Sequence, residues 1–343
     1  METVINNNDK RCQAMRSTFP LAILASSLIT ATVTHADQTA NDQTYRVCNV
    51  SGCQTSLINQ TVNRMEEYTK TQYPIVLVHG INGYAEQVFK DKNNNTVQRE
   101  YWPTIPQRIY EGGAKVFVVA VAAFDSPVAR GMQLLDQVKQ IKALTGATKV
   151  NLIAHSQGAQ TARFVAAAIP ESVASVTSIA GTNKGTPVAS ASNLLLFPVV
   201  SQLVAYFGNN ILEAIDHEDY QQHLIRDLVM LSPIGAANFN SRYPQAVPSD
   251  CGNGSAEVNG VKYYSMGGAQ SAAWSAIFFG AGVFRDSSND TIVGRCSTHL
   301  GTVLNDKYPL DHTGLVNRGK NPQNLDVPSI YRTQANRLKG IGL

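Results

Sequence analysis

The stretch from Lys149 to Gly158 (KVNLIAHSQG) contains a serine whose surroundings suit nucleophilic catalysis. Ser156 follows a short apolar segment and precedes a predicted helix. A serine at such a strand-to-helix turn holds its hydroxyl where a base and a substrate can both reach it. The residues two before and two after must be small, because strand and helix nearly touch there, and Ala154 and Gly158 are small. The other common role is a helix N-cap, which does not require small residues on both sides.

A serine nucleophile needs a histidine base and an acid that orients the base, and in this type of enzyme both follow the serine, the acid first. The histidines after the serine are His217, His223, His299 and His312. The first two belong to the charged tract HEDYQQH, which is typical of a solvated helix face, so the last two remain. The nearest acids before His312 are Asp286, Asp290, Asp306 and Asp311. Asp290 ends the turn Ser-Ser-Asn-Asp before an apolar pair, and an acid at the end of a strand suits the role.

The apolar pattern predicts a scaffold in which strands and helices alternate. Predicted strands lie at 73–80, 115–123, 150–153 and 173–180, and predicted helices at 128–144 and 157–169. Short apolar strands buried on both faces indicate a mostly parallel sheet. A hairpin is predicted at 258–264. A polar loop rich in Asn and Gly follows His79 and Gly80, and such a loop can wrap over a site.

The first 36 residues have the features of a signal peptide. Basic residues precede an apolar run from Phe19 to Val33, and Thr34-His35-Ala36 offers a small-residue cleavage site. The run is too short for a confident membrane span, and Met15 is an alternative start. We therefore expect an exported protein that begins near Asp37. The net charge of the full 343-residue chain is +3, with acids and bases intermixed, and this gives no signature of nucleic-acid binding or of a polybasic membrane patch.

Export places the cysteines of the mature chain in an oxidising compartment. Four remain after the signal peptide, namely Cys48, Cys53, Cys251 and Cys296, and an even number favours two disulfides. The first two enclose a Gly-containing turn, which favours a local bridge and leaves the other two to pair. A metal site would require tighter ligand pairs with histidines nearby, so none is predicted here.

Two further segments are strongly apolar. The stretch from Ala191 to Phe207 is either a core helix or a lid that covers an apolar cleft. The stretch from Ser271 to Phe284 is a second apolar patch that includes Trp274, Phe278 and Phe279.

Several segments, in the same order, resemble those of the secreted bacterial triacylglycerol lipases of the Pseudomonas type. They are TQYPIVLVHG, KVNLIAHSQG, SVTSIAGTNKGTPVA, NFNSRYPQAVPSDCG, SNDTIVGRCSTHLGTVLNDKY and YRTQANRLK. The resemblance runs from about Tyr68 to the C terminus. It implies an α/β-hydrolase fold, with a mostly parallel sheet, helices on both faces and a helical lid. The implied organisation is one catalytic domain over residues 37–343 with a lid insertion at about 191–235.

The resemblance also implies roles for individual residues. Ser156 matches the nucleophile, Asp290 the acid and His312 the base, whereas His299 matches a non-catalytic position. The oxyanion hole of the family corresponds to the backbone N–H groups of Ile81 and Gln157. Its disulfide corresponds to Cys251 and Cys296. The family's Gly-His-Ser-His-Gly-Gly pattern is altered here at Ala154 and at Gln157-Gly158-Ala159, and the segment 45–56 with its cysteine pair has no counterpart.

The family holds a structural calcium near the catalytic histidine, and we expect this chain to lack it. The two acidic ligands correspond here to Gly314 and to the neighbourhood of Gln270, and no acidic residue lies between Gln270 and Phe284. A divalent cation needs several oxygen ligands with enough negative charge. Arg318 adds a positive charge to the same region. The alternative is that another acid, such as Asp286 or Asp311, supplies the site.

The sequence therefore predicts a secreted serine hydrolase of carboxylic esters, with acylglycerols or other apolar esters at an interface as substrates. A dedicated folding chaperone is a further partner that the resemblance admits; no nucleic acid and no stable membrane span are expected. The alternative within enzymes is an esterase or polyester depolymerase. The alternative outside the enzymes is a binding module that retains the hydrolase fold without turnover. Such modules usually lose a member of the triad.

Overall fold

Four short strands that are apolar at most positions form the centre of the fold. They are β3 (Ile75–Val78), β6 (Val116–Val119), β7 (Val150–His155) and β8 (Val173–Ile179), and each is buried along its whole length. The computed structural model describes residues 44–58, 67–190, 220–270, 284, 288–319 and 321–343. The predicted signal peptide, most of the predicted lid (191–219), Trp274 and Asp286 lie outside these residues.

The remaining elements complete the sheet and its two layers of helices. The other strands are β1 (Arg46–Asn49), β2 (Gly52–Thr55), β4 (Glu86–Lys90), β5 (Thr96–Glu100), β9 (Glu257–Val258), β10 (Val261–Gly268) and β11 (Thr302–Tyr308). The α-helices are α1 (Ile105–Glu111), α2 (Pro127–Thr145), α3 (Gly158–Ala168), α4 (Leu224–Leu231), α5 (Pro233–Arg242) and α6 (Val327–Gly340). Short 3-10 turns lie at Pro170–Ser172, Pro187–Ala189, Arg295–Ser297 and Gly314–Val316.

In the described part of the chain, nine strands form one sheet in the order β11-β10-β8-β7-β3-β6-β1-β2, with β9 beside β10. Every pairing from β11 across to β1 is parallel. The antiparallel pairs are β1 with β2 and β9 with β10. The predicted mostly parallel sheet is therefore confirmed, and so is the hairpin, whose turn residues Asn259 and Gly260 both have positive φ angles.

The alternation of side chains along β3 separates two hydrophobic layers. Ile75 and Leu77 pack with residues of α1 and α6 on one face of the sheet. Val76 and Val78 pack with residues of α2 and α3 on the other. Because helices cover both faces, the centre of the sheet is shielded from water, and the ends of its strands are free to carry polar side chains.

The segment after β3 differs from the predicted polar loop, because residues 86–100 form an antiparallel hairpin of β4 and β5. The two strands are mostly polar, with Val88, Phe89 and Val97 as their apolar residues, so the sequence pattern did not indicate them. A second hairpin, β1 with β2, joins the sheet beside β6.

Over the described ranges, no helix combines the length and apolarity that a bilayer crossing would need.

Candidate active site

The chain turns sharply at Ser156, between the end of β7 and the start of α3. Ser156 has a φ angle of 57°, in the left-handed region that residues other than glycine rarely adopt. A methyl group on Gly158 would lie 2.6 Å from the carbonyl oxygens of Val78 and His79. The helix thus approaches the neighbouring strand so closely that only glycine fits two residues after the serine. The predicted strand, turn and helix are confirmed.

Three buried polar side chains meet at this turn. The Oγ atom of Ser156 lies 2.9 Å from Nε2 of His312, and Nδ1 of His312 lies 2.8 Å from Oδ2 of Asp290. The exposed fractions of the three residues are 3%, 1% and 0%. Since a carboxylate can only accept, the Nδ1–H of a neutral His312 donates to Asp290, and Nε2 is left with a lone pair that faces the serine hydroxyl. This arrangement can remove the serine proton.

The second oxygen of Asp290 is also engaged. Oδ1 accepts hydrogen bonds from the backbone N–H groups of Ile292 and Val293, at 3.1 and 2.7 Å. The carbonyl oxygen of Asp290 accepts from the N–H of His312 at 2.8 Å. The acid is therefore fixed by its own turn and by the loop that carries the histidine.

The other candidates from the sequence have different partners. His299 lies 3.0 Å from the carboxylate of Asp306, which also contacts Arg295 at 3.3 Å. Oδ1 of Asp311 accepts from the N–H of Gly314 at 2.6 Å. Of the described candidates, Asp290 and His312 are the acid and the histidine that meet at Ser156.

Two backbone N–H groups near the serine have no acceptor among the described residues, those of Ile81 and Gln157. Ile81 follows the end of β3 and borders the cleft that contains Ser156 and His312. Gln157 follows the nucleophile and precedes α3, where the positive end of the helix dipole lies. A methyl group on Gly80 would lie 2.7 Å from Cβ of Ser156, which shows how closely the loop of Ile81 approaches the serine. Both groups are thus free to donate to an oxyanion.

The loop that contains Ile81 is attached to the rest of the fold by hydrogen bonds of two buried basic side chains. One guanidinium nitrogen of Arg130 donates to the carbonyl oxygens of His79 and Gly80, at 2.6 and 3.1 Å. Nδ1 of His79 lies 2.9 Å from the carbonyl oxygen of Gly80, and its Nε2 accepts from the N–H of Val121 at 3.1 Å. Burial and the charge of Arg130 lower the pKa of His79 to about 3. His79 is therefore neutral, and the loop is rigidly attached to the scaffold.

The side chain of Gln157 connects the site to α4. Its amide donates to the carbonyl oxygen of Asp125 at 2.8 Å and to the carboxyl group of Asp227. Burial raises the pKa of Asp227 well above the usual range of an aspartate. The sequence analysis assigned no role to Asp227. The spacing of Leu224, Asp227 and Leu231 could have revealed that this acid lies on the apolar face of a helix.

Of the two positions that correspond to calcium ligands in the Pseudomonas-type lipases, one falls on Gly314 and the other on the neighbourhood of Gln270, beside residues 271–283, which lie outside the described part of the chain. Gly314 has no side chain to offer, and among the described residues no group of three or more His, Cys, Asp or Glu could hold a metal ion. The guanidinium of Arg318 lies in the same loop and packs over the rings of Tyr84 and Tyr101, at 5.6 and 5.8 Å from their centroids.

Both predicted disulfides are present. Cys48 and Cys53 occupy directly opposed positions of β1 and β2, so the first bridge closes the hairpin at the edge of the sheet. The second joins Cys251 to Cys296, which lies in the turn that follows the loop of Asp290. Disulfides are consistent with an extracellular location.

Comparisons with known proteins agree with this geometry. A family model described as the alpha/beta hydrolase fold matches residues 73–247. The chain is 40% identical over 291 residues to a triacylglycerol lipase of Vibrio cholerae serotype O1, with 80% of this chain and 90% of that protein covered. It is 36% identical over 303 residues to a triacylglycerol lipase of Pseudomonas fragi, with 81% and 100% covered.

A solved structure shows the same fold at low sequence identity. The Staphylococcus hyicus lipase superposes with a TM-score of 0.53 at 15% identity, covering 82% of this chain and 98% of that one. This likeness concerns the fold, and the two relatives concern the family. The chain therefore belongs to the α/β-hydrolase fold family and, within it, to the triacylglycerol lipases, which are carboxylic-ester hydrolases.

Proposed function

We propose that this lipase hydrolyses acylglycerols through an acyl-enzyme on Ser156, with His312 as the base and Asp290 as the acid that orients it. The observation that carries the proposal is the line of two hydrogen bonds, 2.9 Å and 2.8 Å long, that joins the three buried side chains. The two relatives that match most of the chain are named triacylglycerol lipases, which supports acylglycerols as the substrate class.

The reaction proceeds in two halves. Nε2 of His312 takes the proton of Ser156 as Oγ attacks the ester carbonyl, and the negative oxygen of the tetrahedral intermediate accepts from the N–H groups of Ile81 and Gln157. The intermediate collapses, and His312 gives the proton to the departing alkoxide. Water then enters, loses a proton to His312 and attacks the acyl-enzyme. As the second tetrahedral intermediate collapses, His312 returns this proton to Oγ of Ser156 and the fatty acid is released.

The composition of two segments supports a reaction that takes place outside the cell and at a lipid surface. The apolar stretch 191–207 is too apolar to lie exposed in water, which supports a lid that opens at a lipid surface. The first 36 residues support export, and the chaperone is an additional partner that the family resemblance admits. We include in the proposal that no calcium is bound, because Gly314 stands where the family has an acidic ligand.

The test compares esters of increasing acyl length for the wild-type protein, Ser156→Ala and His312→Ala. Because triad members act as a unit, either variant should lower kcat by about four to six orders of magnitude while circular dichroism shows intact folding. Retention of more than a tenth of wild-type activity would overturn the assignment of that residue. A steep rise in rate as long-chain substrates pass their solubility limit would support a lipase with a lid, and a smooth hyperbola would indicate an esterase.

A further inference from the structure

Two buried side chains beneath the cleft have no role in the reaction described above. His155 is the last residue of β7, directly before Ser156, and is 1% exposed. Tyr101 follows β5 and is 6% exposed. Both border the cleft of Ser156 and His312, and their rings lie 5.8 Å apart between centroids.

The protons between these side chains can be assigned from what each atom is able to donate or accept. Nε2 of His155 lies 3.0 Å from the carbonyl oxygen of His312. A carbonyl oxygen only accepts, so Nε2 carries the proton, and Nδ1 of the neutral ring has a lone pair. The hydroxyl of Tyr101 lies 2.7 Å from this Nδ1 and therefore donates to it. The same hydroxyl oxygen accepts from the N–H of Gly80 at 3.0 Å.

The environment keeps His155 in this neutral form. Its burial, together with the nearby His312, lowers the pKa of His155 well below the ordinary value. The two rings lie 4.6 Å apart between centroids. A proton on His155 would oppose the positive charge that His312 acquires when it takes the serine proton, so a neutral His155 is compatible with the reaction.

The two ends of this hydrogen-bonded chain lie in different parts of the active site. Gly80 directly precedes Ile81, whose N–H is free to stabilise the oxyanion. The carbonyl oxygen at the other end belongs to His312 itself, whose N–H is already held by Asp290 at 2.8 Å. The chain from Gly80 through Tyr101 and His155 to His312 therefore connects the oxyanion loop with the base.

We propose that Tyr101 and His155 are positioning residues, which fix the base and the oxyanion donor relative to each other through their hydrogen bonds. This inference rests on the proposed function. Loss of either bond would remove one of the restraints on the loops of Ile81 and His312, and a displacement of about 1 Å at reacting groups lowers a rate about 100-fold. Substrate affinity should change little, since neither side chain has to contact the acyl chain for this effect.

Packing is the alternative role, and the variants separate it from hydrogen bonding. The Tyr101 ring packs edge-on against Trp102, with centroids 5.2 Å apart, and Tyr101→Phe keeps this ring but removes the hydroxyl. His155→Gln retains an N–H donor and an oxygen acceptor, whereas His155→Leu retains neither. Tyr45→Phe is the matched control, because it removes a hydroxyl that is also buried but bonds to Glu100 at 3.0 Å.

The experiment measures kcat and KM on a soluble ester, with the concentration of active sites determined by a fluorophosphonate that labels the nucleophile. Tyr101→Phe and His155→Leu should lower kcat about 10- to 100-fold with KM changed less than about threefold. His155→Gln should recover most of the loss. Adding Tyr101→Phe to His155→Leu should lower kcat little further, because both residues belong to one chain of bonds. Tyr45→Phe should keep the wild-type kcat.

Two results would overturn the inference. One is a wild-type kcat per labelled site in Tyr101→Phe and His155→Leu, even if fewer molecules fold. The other is an equal loss in His155→Gln and His155→Leu, which would assign the effect to the ring of His155. Ser156→Ala is measured alongside: if it hydrolysed the ester as fast as the wild type, the proposed function would fail together with this inference.

Discussion

The oxyanion loop approaches Ser156 closely at Gly80, and Gly80→Ala is a sharp test of the proposed geometry. The new methyl carbon would lie 2.7 Å from Cβ of Ser156, 3.0 Å from the hydroxyl of Tyr101 and 3.1 Å from the carbonyl oxygen of His155. Two of these neighbours belong to β7 and its turn, which cannot move without disturbing the sheet. The loop of Gly80 and Ile81 has to give way.

The size of the effect follows from the contact distance. Carbon atoms that are not bonded rest about 3.5–4.0 Å apart, so relief of a 2.7 Å contact requires the loop to move by about 1 Å. A misplacement of this size lowers a rate about 100-fold, which corresponds to about 2.7 kcal/mol of transition-state stabilisation. Overpacking should also lower the free energy of unfolding by about 1–3 kcal/mol.

The assay determines kcat per active site on a soluble ester, together with thermal unfolding. Gly340→Ala is the matched control, because its methyl group would have no atom within 4 Å and should leave kcat unchanged. If Gly80→Ala folded and kept more than a third of the wild-type kcat, the N–H of Ile81 would not be the oxyanion donor that this geometry requires.

Three further predictions concern stability. Burial raises the pKa of Asp227, so the unfolded chain loses this proton first as the pH rises above about 4. The melting temperature of Asp227→Asn should therefore increase relative to that of the wild type between about pH 4 and pH 7, and a constant difference would contradict the shift. The Cys251–Cys296 disulfide spans 45 residues and Cys48–Cys53 spans 5, so replacing both cysteines by alanine should lower the free energy of unfolding by about 4 kcal/mol for the first pair and about 2 kcal/mol for the second. If denaturant titrations showed a larger loss for the Cys48–Cys53 pair, loop closure would not be the source of the stabilisation by these disulfides. Exhaustive treatment with EDTA should leave the melting temperature and activity unchanged, and a fall restored by calcium would reveal a bound ion.

The elements around the nucleophile could be predicted from the sequence because their signals are local. The apolar run of β7, the small residues around Ser156 and the Ala-rich helix all lie within about one supersecondary unit. The pairing of Ser156 with His312, 156 residues later in the chain, has no local signal. Residue types and order restricted the histidine to two candidates and left four acids, and only the resemblance to known lipases selected one of each.

The contacts that support the triad could not be predicted in this way. Tyr101 follows a hairpin that the polar composition concealed, and it meets His155 across 54 residues of sequence. Asp227 follows a stretch of polar residues and is buried only because α4 packs against the residue after the nucleophile. In each case a polar side chain becomes functional through a tertiary contact. The spacing around Asp227 indicates that this acid lies on the apolar face of a helix, but no periodicity in a single sequence identifies the partner of such a contact.

The loop of His312 shows why we expect EDTA to have no effect. Oδ1 of Asp311 accepts from the N–H of Gly314 at 2.6 Å, so this acid is used to close the turn that follows His312. The hydroxyl of Tyr331, on α6, donates to the carbonyl oxygen of Leu315 at 2.6 Å. The peptide of His312 is held on both sides, through its N–H at 2.8 Å and its carbonyl oxygen at 3.0 Å. A structural cation in such a loop would serve to restrain the same backbone. Here hydrogen bonds from separate elements already do so, and we therefore expect a chelator to leave this loop intact.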